Sequence, residues 1–339
     1  MKRFIKSKLT FILTAIILIA SLVFAITVTA KTPNFKTGDK FYYGSYPQTK
    51  VTDSGVISSL NALGGEWVSY NYYTEGKPSD FMKYKDVNYG GDKYRGILFT
   101  KYRPNITYAV ADAQNSYQDE NGYETNTVYW FKFEPIEWTV LYPSTGLVLS
   151  SIILDSQAYR NNFYCPKNNL DDFYTDSTMQ YYANNYAESD IRKWLDSTFI
   201  NTAFTAAEQE KIIVSDNFNK AWKDVDARFD AVNTQDKVYL LTNGNCSDTR
   251  YGFLGSGAPS PGRQFLSTDY AKAQGIGVYK ADGDTPRYSF WWARTAGTSS
   301  SAATGVNIRG ETYHRSYSIF DTHFGVVPAM RLDLSSIEQ

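Results

Sequence analysis

The order of the predicted strands and helices is the feature that most constrains the fold of this chain. Residues 127–142 and 147–154 are rich in β-branched and aromatic residues, and the intervening Pro143-Ser-Thr-Gly146 has a turn composition, so the two runs predict a hairpin. Two helices are predicted next, one capped by Ser189 and one opened by the capping box of residues 205–208. Further strands are predicted at residues 237–241, 290–294, 304–308, 311–318 and 326–332. Strands, a helix pair and strands again predict an α+β protein with antiparallel sheets, two main helices and long loops rather than a βαβ repeat.

The first thirty residues have the composition of an export signal. Four basic residues precede an almost wholly apolar run at residues 9–28, and small residues at 28–30 fit a signal-peptidase site. An uncleaved anchor is the alternative, because twenty residues at about 1.5 Å each span the roughly 30 Å apolar core of a bilayer. In either case we expect residues 31–339 to be exported, and the protein to be secreted or anchored at the cell surface. Membrane contact is expected only through residues 9–28, if they stay uncleaved.

Charge and composition narrow the range of ligands. The chain has 34 Lys and Arg against 35 Asp and Glu, so its formal net charge is -1. Without a basic surplus, nucleic-acid binding is not expected. No Gly-rich loop follows a predicted strand, so nucleotide cofactors are not expected either. Aromatic residues make up 16% of the chain, and the flat rings and polar groups of Tyr and Trp suit both cores and binding surfaces.

The two cysteines, Cys165 and Cys246, lie in the part that is expected to be exported. A disulfide between them would close a loop of roughly 80 residues and add up to about 4 kcal/mol by restricting the unfolded chain. Two separate buried thiols are the alternative, and the distance that decides between them is not contained in a sequence.

Metal and cofactor sites have little support in the sequence. Together with the two cysteines, His314 and His323 are too few for most zinc sites or a three-histidine iron site. The oxygens of Asp282-Gly-Asp284 and Asp216-Asn-Phe-Asn219 would suit Ca²⁺, but neither segment matches an EF-hand loop, and ordinary turn chemistry is the alternative. We therefore expect no cofactor, with calcium as the remaining candidate.

The domain organisation is predicted to be simple. After a short segment at residues 31–40, residues 41–334 form a single domain, since no Pro/Gly/Ser linker or charge block divides them. Residues 49–126 are rich in Tyr, Asn, Asp and Gly, and they predict a loop-rich elaboration on one face, with a short helix near residues 56–63 and a strand near residues 94–102.

Five segments carry a resemblance to a known family: Tyr43-Gly-Ser-Tyr-Pro-Gln48, Glu134-Pro-Ile-Glu-Trp138, Ser189-Asp-Ile-Arg-Lys-Trp-Leu195, Trp291-Trp-Ala-Arg294 and Gly325-Val-Val-Pro-Ala329. Their order over about residues 41–334 resembles a bacterial domain of unknown function that is common in exported proteins of Gram-positive gut anaerobes. That domain is in turn similar to the C-type-lectin-like fold of sulfatase-modifying factors and phage receptor-binding proteins. Val327 stands where the family usually has Arg, so the closing motif is incomplete.

The resemblance implies a binding surface on the C-terminal hairpins. The side chains that it suggests as ligand contacts are Trp292, Arg294, Asn307, Arg309, His314, Arg315 and Tyr317. Aromatic faces stack on sugar rings, and Arg and Asn give directional hydrogen bonds. The alternative is that Trp291 or Trp292 fills the core and that Arg294 forms a buried ion pair.

The function expected from this pattern is a non-catalytic, exported binding module for an extracellular glycan or surface protein. No catalytic residue is assigned. The cysteine pair of the sulfatase-modifying enzymes has no counterpart, since no Cys follows Cys246, and no nucleophile motif accompanies His314 or His323. The alternative is a secreted hydrolase of polysaccharide or cell wall, which needs a carboxylate pair such as two of Asp171, Asp172, Glu188 and Asp190. A structural or adhesive surface module is a third hypothesis.

Overall fold

The computed structural model describes residues 34–70, 72–112, 116–162, 164–165, 172–222, 225–255, 258–280, 287–312 and 317–337. Several predictions lie outside the described residues: the export signal at 1–30, the ligand contacts His314 and Arg315, the carboxylate of Asp171, and the calcium segment Asp282-Gly-Asp284. Within the described ranges, no helix is long and apolar enough to cross a membrane. Phe35–Asp333 form one compact unit, and of the other described residues Asn34 and 334–337 fall outside it.

The strands are short, apart from four of 8 to 14 residues. In chain order they are β1 (Lys40–Lys50), β2 (Val68–Ser69), β3 (Tyr72–Thr74), β4 (Lys77–Ser79), β5 (Met82–Tyr89), β6 (Asp92–Phe99), β7 (Tyr129–Tyr142), β8 (Leu147–Ser150), β9 (Asp155–Ser156), β10 (Ile212–Ile213), β11 (Ser215–Asn217), β12 (Thr234–Asp236), β13 (Val238–Tyr239), β14 (Tyr279–Lys280), β15 (Arg287–Tyr288), β16 (Trp291–Ala296), β17 (Ala302–Val306), β18 (Tyr317–Ser318), β19 (Gly325–Val326) and β20 (Ala329–Leu332).

The helices are also short. They are α1 (Ser54–Ala62), α2 (Tyr117–Glu120), α3 (Asp190–Trp194), α4 (Ile200–Ala203), α5 (Ala206–Lys211), α6 (Asn243–Cys246) and α7 (Asp269–Ala273). A π-helical turn at Leu195–Phe199 joins α3 to α4. The 3-10 turns are Pro143–Thr145, Tyr186–Glu188, Ala227–Phe229, Thr249–Tyr251, Pro261–Arg263 and Leu334–Ser336.

Two mainly antiparallel sheets dominate the architecture. The larger has the order β10-β20-β8-β7-β6-β5-β2, with β1 also paired to β7 and β13 also paired to β20. The smaller has the order β18-β17-β16-β19-β9, in which only the β16–β19 pair is parallel. The two-stranded sheets are β3-β4, β11-β12 and β14-β15. The protein is therefore mixed α+β with mostly antiparallel sheets, as the element order predicts.

The predicted helix starts are confirmed because they depend on local chemistry. The hydroxyl of Ser189 accepts a hydrogen bond from the backbone N–H of Arg192 at the start of α3. Thr205 and Glu208 form both halves of a capping box at the start of α5. Thr268 caps α7.

The predicted β7–β8 hairpin is also confirmed, and its turn has a structural consequence. Gly146 ends the turn with φ near 70°, and a Cβ there would lie 1.9 Å from the carbonyl oxygen of Leu332. Only glycine allows this approach, which brings the turn against β20. The pairing of β1 with β7 has a bulge in β1, where one register shift falls between Tyr42 and Ser45.

Residues 49–126 are more regular than their composition suggests. They contain α1 and the long hairpin β5–β6, which extends the larger sheet. Leu60 of α1 packs in a small cluster with Tyr94 and Trp130. Asp86, Asn88 and Tyr89 of this hairpin are exposed, and such residues give the segment the composition of a loop.

The two cysteines are not joined by a disulfide in the structure. Cys246 is fully buried in the main core with Leu241, Trp291 and Val306, and burial raises the pKa of its thiol to about 12. Cys165 is half-buried. The structure thus has the two separate thiols that were the alternative to a Cys165–Cys246 disulfide, and Cys246 serves as a small apolar core residue.

Candidate functional site

Arg294 projects from β16 into a polar part of the interior. Its side chain is only 6% exposed. Nε donates to Oδ1 of Asn219 over 2.9 Å, and Nη1 donates to the carbonyl oxygen of Leu240. The guanidinium also lies 5.4 Å from the ring centre of Tyr239, and burial lowers its pKa. These contacts fix the guanidinium, and they use only neutral partners.

Arg294 lines a cavity of about 330 Å³. The walls come from the β7–β8 turn, β11 and the residue after it, the segment 239–245, the turn at Tyr251, and strands β16 and β20. The lining residues are Thr145, Leu147, Ser215, Asp216, Asn217, Phe218, Tyr239, Leu241, Thr242, Asn245, Tyr251, Arg294 and Arg331. We call this space the Arg294 cavity.

A second arginine, Arg331 of β20, also lines the Arg294 cavity. It is half-buried, and its Nε donates to the carbonyl oxygen of Thr145 over 2.8 Å. The close approach of Gly146 to β20 places that carbonyl within reach. The turn that closes the hairpin therefore also holds one of the two cationic groups of the cavity.

Aromatic and amide side chains complete the lining. Burial raises the pKa of Tyr239 and of Tyr251, so both phenols stay protonated and can donate and accept hydrogen bonds. Thr242 and Asn245 form a capping box at the start of α6, which fixes their side chains at the wall. Phe218 is 70% exposed, an unusual setting for a phenylalanine.

A buried carboxylate supports this wall from behind. Asp236 accepts hydrogen bonds from Nε of Arg192 over 2.7 Å, from Thr234 over 2.6 Å and from Nδ2 of Asn217 over 2.8 Å. Asn217 is thereby held in place beside the cavity. Both Asp236 oxygens are engaged, so its charge is largely compensated where it lies.

Of the predicted ligand contacts, Trp292 is an interior residue. Its side chain has no exposure, its Nε1 donates to the carbonyl oxygen of Gln157 over 2.9 Å, and its ring stacks on Phe324 at 4.3 Å. Trp291 is equally buried. Both faces of β16 are covered, so neither tryptophan is available to a ligand, and the predicted role of Trp292 is corrected.

The predicted contacts Asn307, Arg309 and Tyr317 do not line the Arg294 cavity. Asn307 organises a turn, since its Oδ1 accepts from the backbone N–H groups of Arg309 and Glu311. Arg309 is exposed, and Tyr317 is half-buried with its ring against Phe324 at 4.8 Å. Of the five predicted contacts that the structure describes, Arg294 is the one that lines this cavity. Arg331 was not among the predicted contacts, although an arginine in the apolar run Ala329–Leu332 was a usable signal.

The carboxylates considered for hydrolysis have structural partners. Asp190 accepts from the backbone N–H of Asn161 over 2.7 Å and lies 3.7 Å from Nε of Arg160. Glu188 lies 3.7 Å from Nζ of Lys193, and Asp172 lies 4.0 Å from Arg228.

His323 is also poorly placed for acid–base chemistry. Burial lowers its pKa to about 4, and its ring stacks on Tyr117 at 4.8 Å. At neutral pH it is an uncharged, packed ring.

The calcium segment Asp216-Asn-Phe-Asn219 has its polar groups in use elsewhere. Asn217 donates to Asp236, and Oδ1 of Asn219 accepts from Arg294. In the described part of the chain, no group of three or more His, Cys, Asp or Glu side chains is arranged to hold a metal ion.

A second groove, with a larger volume of about 660 Å³, lies along β1 and β7. Its lining includes Tyr42, Asp92, Glu134 and Glu137. Glu137 lies 2.6 Å from Nζ of Lys40, which holds the pKa of that carboxyl below its usual value. We call this the β1–β7 groove.

Comparison with known proteins identifies a family but not a function. A family model described as Domain of unknown function (DUF6273) matches residues 144–334, and the chain belongs to this family. No curated protein matches the chain. No solved structure matches it either. All the residues that line the Arg294 cavity lie within the matched segment, whereas most residues of the β1–β7 groove precede it.

Proposed function

We propose that this member of the DUF6273 family is a non-catalytic binding module of an exported protein, and that it binds an extracellular glycan in the Arg294 cavity. The observation that carries the proposal is the lining of that cavity, where phenol rings stand beside fixed guanidinium, amide and hydroxyl groups. A surface protein is the other extracellular ligand consistent with an exported module.

The cavity has the properties of a small-molecule site. Its volume of about 330 Å³ is near the lower end of the usual range for ligand sites. Tyr239 and Tyr251 offer flat faces, and Thr242, Asn245 and Arg331 offer directional hydrogen-bonding groups. Exposed Phe218 at the rim is a further ring on which a sugar can stack.

The wider proposal includes the fold family and the location. A C-type-lectin-like fold agrees with the two mainly antiparallel sheets, the Trp-Arg strand β16 and the closing strands β19 and β20. The sequence of residues 1–30 supports export, as a secreted or cell-surface-anchored protein of a Gram-positive bacterium.

The alternative is a hydrolase of polysaccharide or cell wall. One observation favours it: Asp92, Glu134 and Glu137 line the same open groove beside exposed Tyr42. A general acid needs a raised pKa, whereas Lys40 lowers that of Glu137. We therefore place binding ahead of hydrolysis.

The test is binding of the purified full-length chain, kept in mild detergent, to a glycan array. Two variants separate the two sites: Phe218→Ala at the rim of the Arg294 cavity and Tyr42→Ala in the β1–β7 groove. Both side chains are largely exposed, 70% and 65%, so neither substitution should disturb folding.

We expect saturable binding that Phe218→Ala weakens and Tyr42→Ala does not. Loss with Tyr42→Ala alone would overturn the assignment to the Arg294 cavity. A blank array, or release of shortened sugars on incubation, would overturn glycan binding without catalysis as the function.

A further inference from the structure

Among the residues that the structure describes, the two arginines of the Arg294 cavity have hydrogen-bond donors without an acceptor. A guanidinium carries five N–H groups. Arg294 uses two of its nitrogens, for Asn219 and Leu240, and Arg331 uses one, for Thr145. All three acceptors are neutral amide or carbonyl oxygens. Among the described residues, neither arginine has an ion pair with a carboxylate.

Arg263 shows what a purely structural buried arginine looks like in this protein. It is fully buried, and its nitrogens make four hydrogen bonds, all to backbone carbonyl oxygens: those of Gly310, Cys246, Leu254 and Ala258. Arg192 shows a second arrangement, an ion pair in which its Nε lies 2.7 Å from Oδ1 of Asp236. Arg294 has neither arrangement, although its side chain is also buried.

The carboxylates nearest to the cavity do not neutralise it. Asp216 is exposed, and its Oδ1 accepts from Nε2 of Gln235 over 2.9 Å. Asp236 lies behind Asn217 with both oxygens already bound. The lining therefore carries two positive charges against the single negative charge of Asp216.

We propose that the Arg294 cavity selects an acidic sugar, whose carboxylate is bound by Arg294 and Arg331 while its ring lies against the tyrosines. This inference rests on the proposed function, that the module binds a glycan. Arg294 has no direct ion pair among the described residues, and the charge of Asp236 acts on it only without contact. A buried charge that lacks a direct counter-ion is costly, and an anionic ligand in the cavity would compensate it. The planar fork of a guanidinium matches a carboxylate in particular, through two parallel hydrogen bonds.

The experiment compares glucuronate with glucose, which differ only in a carboxylate against a hydroxymethyl group at C6. Their affinities for the full-length chain are measured by ligand-observed NMR titration. We expect glucuronate to bind roughly tenfold more tightly, the effect of one charge-assisted hydrogen bond gained. Glucose 6-phosphate serves as the competing anion.

The first variant is Arg331→Gln, which removes the charge of the half-buried arginine. The second is Arg294→Lys, which keeps the positive charge but cannot form two parallel hydrogen bonds to a carboxylate. Arg228→Gln is the control, an arginine of a 3-10 turn outside the cavity lining. Each variant is first checked for unchanged thermal unfolding. We expect Arg331→Gln to abolish the preference for glucuronate over glucose, and Arg228→Gln to leave it intact. Arg294→Lys supplies the same test if Arg331→Gln unfolds.

The outcomes separate the inference from the function on which it rests. Equal binding of glucuronate and glucose would overturn the acidic-sugar inference and leave the glycan function standing. Binding of no sugar at all would overturn both. Tighter binding of glucose 6-phosphate, or a preference that survives both arginine substitutions, would overturn the assignment of a carboxylate to these two residues.

Discussion

The phenol of Tyr46 donates a hydrogen bond to Oδ2 of Asp155 over 2.6 Å, and both side chains are almost completely buried. Tyr46 belongs to β1 of the larger sheet and Asp155 to β9 of the smaller one. The other carboxylate oxygen accepts from the backbone N–H of Ser156 and from Nε2 of Gln157. Burial raises the pKa of Asp155, and these donors oppose that effect by stabilising its charge. This buried polar contact therefore links the two sheets.

Tyr46→Phe should destabilise the protein by about 1–3 kcal/mol, because it removes one donor from a buried carboxyl group and offers nothing in its place. The free energy of unfolding in urea measures the effect. Tyr42→Phe is the matched control, since Tyr42 lies on the same strand and is largely exposed. If both variants lower the free energy of unfolding by similar amounts, the Tyr46–Asp155 hydrogen bond does not stabilise the protein as predicted.

The Cys246 thiol should be unreactive in the folded protein. Burial raises its pKa to about 12, and the nucleophilic species is the thiolate. We expect iodoacetamide at pH 8 to leave Cys246 unmodified until the chain is unfolded, as followed by peptide mass spectrometry without reductant. Cys246→Ala provides the reference map. A Cys165–Cys246 linked peptide in the unreduced digest would contradict the arrangement of the core.

The helix caps and the β7–β8 hairpin could be predicted because each depends on residues close in sequence. Ser189, the Thr205–Glu208 box and the turn ending at Gly146 all carry their own signals. The α+β class followed from the order of such elements.

The candidate site could be predicted only in part, because its contacts are distant in sequence. Arg294 meets Asn219, 75 residues away, and Arg331 meets Thr145, 186 residues away. No local pattern contains such pairings. Sheet burial was also misjudged: alternation along a strand predicts one tryptophan inside and one outside, but β16 is covered on both faces and buries Trp291 and Trp292 together.

Asp321 should make folding stability depend on pH. Burial raises the pKa of its carboxyl to about 7 in the folded protein, above the roughly 3.9 of an unfolded aspartate. The folded state therefore holds a proton that the unfolded state releases, so this contribution is full below about pH 4 and is lost as the pH rises through 7. Between pH 5 and pH 8 this titration should lower the free energy of unfolding of the wild type by an amount on the order of 2–3 kcal/mol. Asp321→Asn should abolish that decrease, because asparagine does not titrate.

The measurement is the free energy of unfolding of wild type and Asp321→Asn at both pH values. His323 acts in the opposite direction, because burial lowers its pKa to about 4 and favours unfolding at acid pH. That effect is common to both proteins, so their difference isolates Asp321. Asp196→Asn, at an exposed position of the π-helical turn, is the control. A difference that does not change with pH would contradict the prediction.

Asp236 and Arg192 should be strongly coupled, because Asp236 is fully buried and the ion pair is short, at 2.7 Å. Asp236→Asn should cost about 3 kcal/mol, since it leaves Arg192 without its counter-charge. The double variant with Arg192→Met should lose less than the sum of the single losses, with a coupling of about 1–3 kcal/mol. The exposed pair Lys40–Glu137 is the matched control, for which we expect less than about 1 kcal/mol.

The same cycle reports on the candidate site, since Asp236 also holds Asn217 at the wall of the Arg294 cavity. If the wall is fixed by this pair, Arg192→Met should weaken ligand binding even though Arg192 does not line the cavity. The Lys40→Met variant of the control pair should bind as wild type does. The coupling energies of both pairs are measured by urea unfolding. If the coupling of Arg192 and Asp236 is no larger than that of Lys40 and Glu137, Asp236 does not support the wall of the cavity.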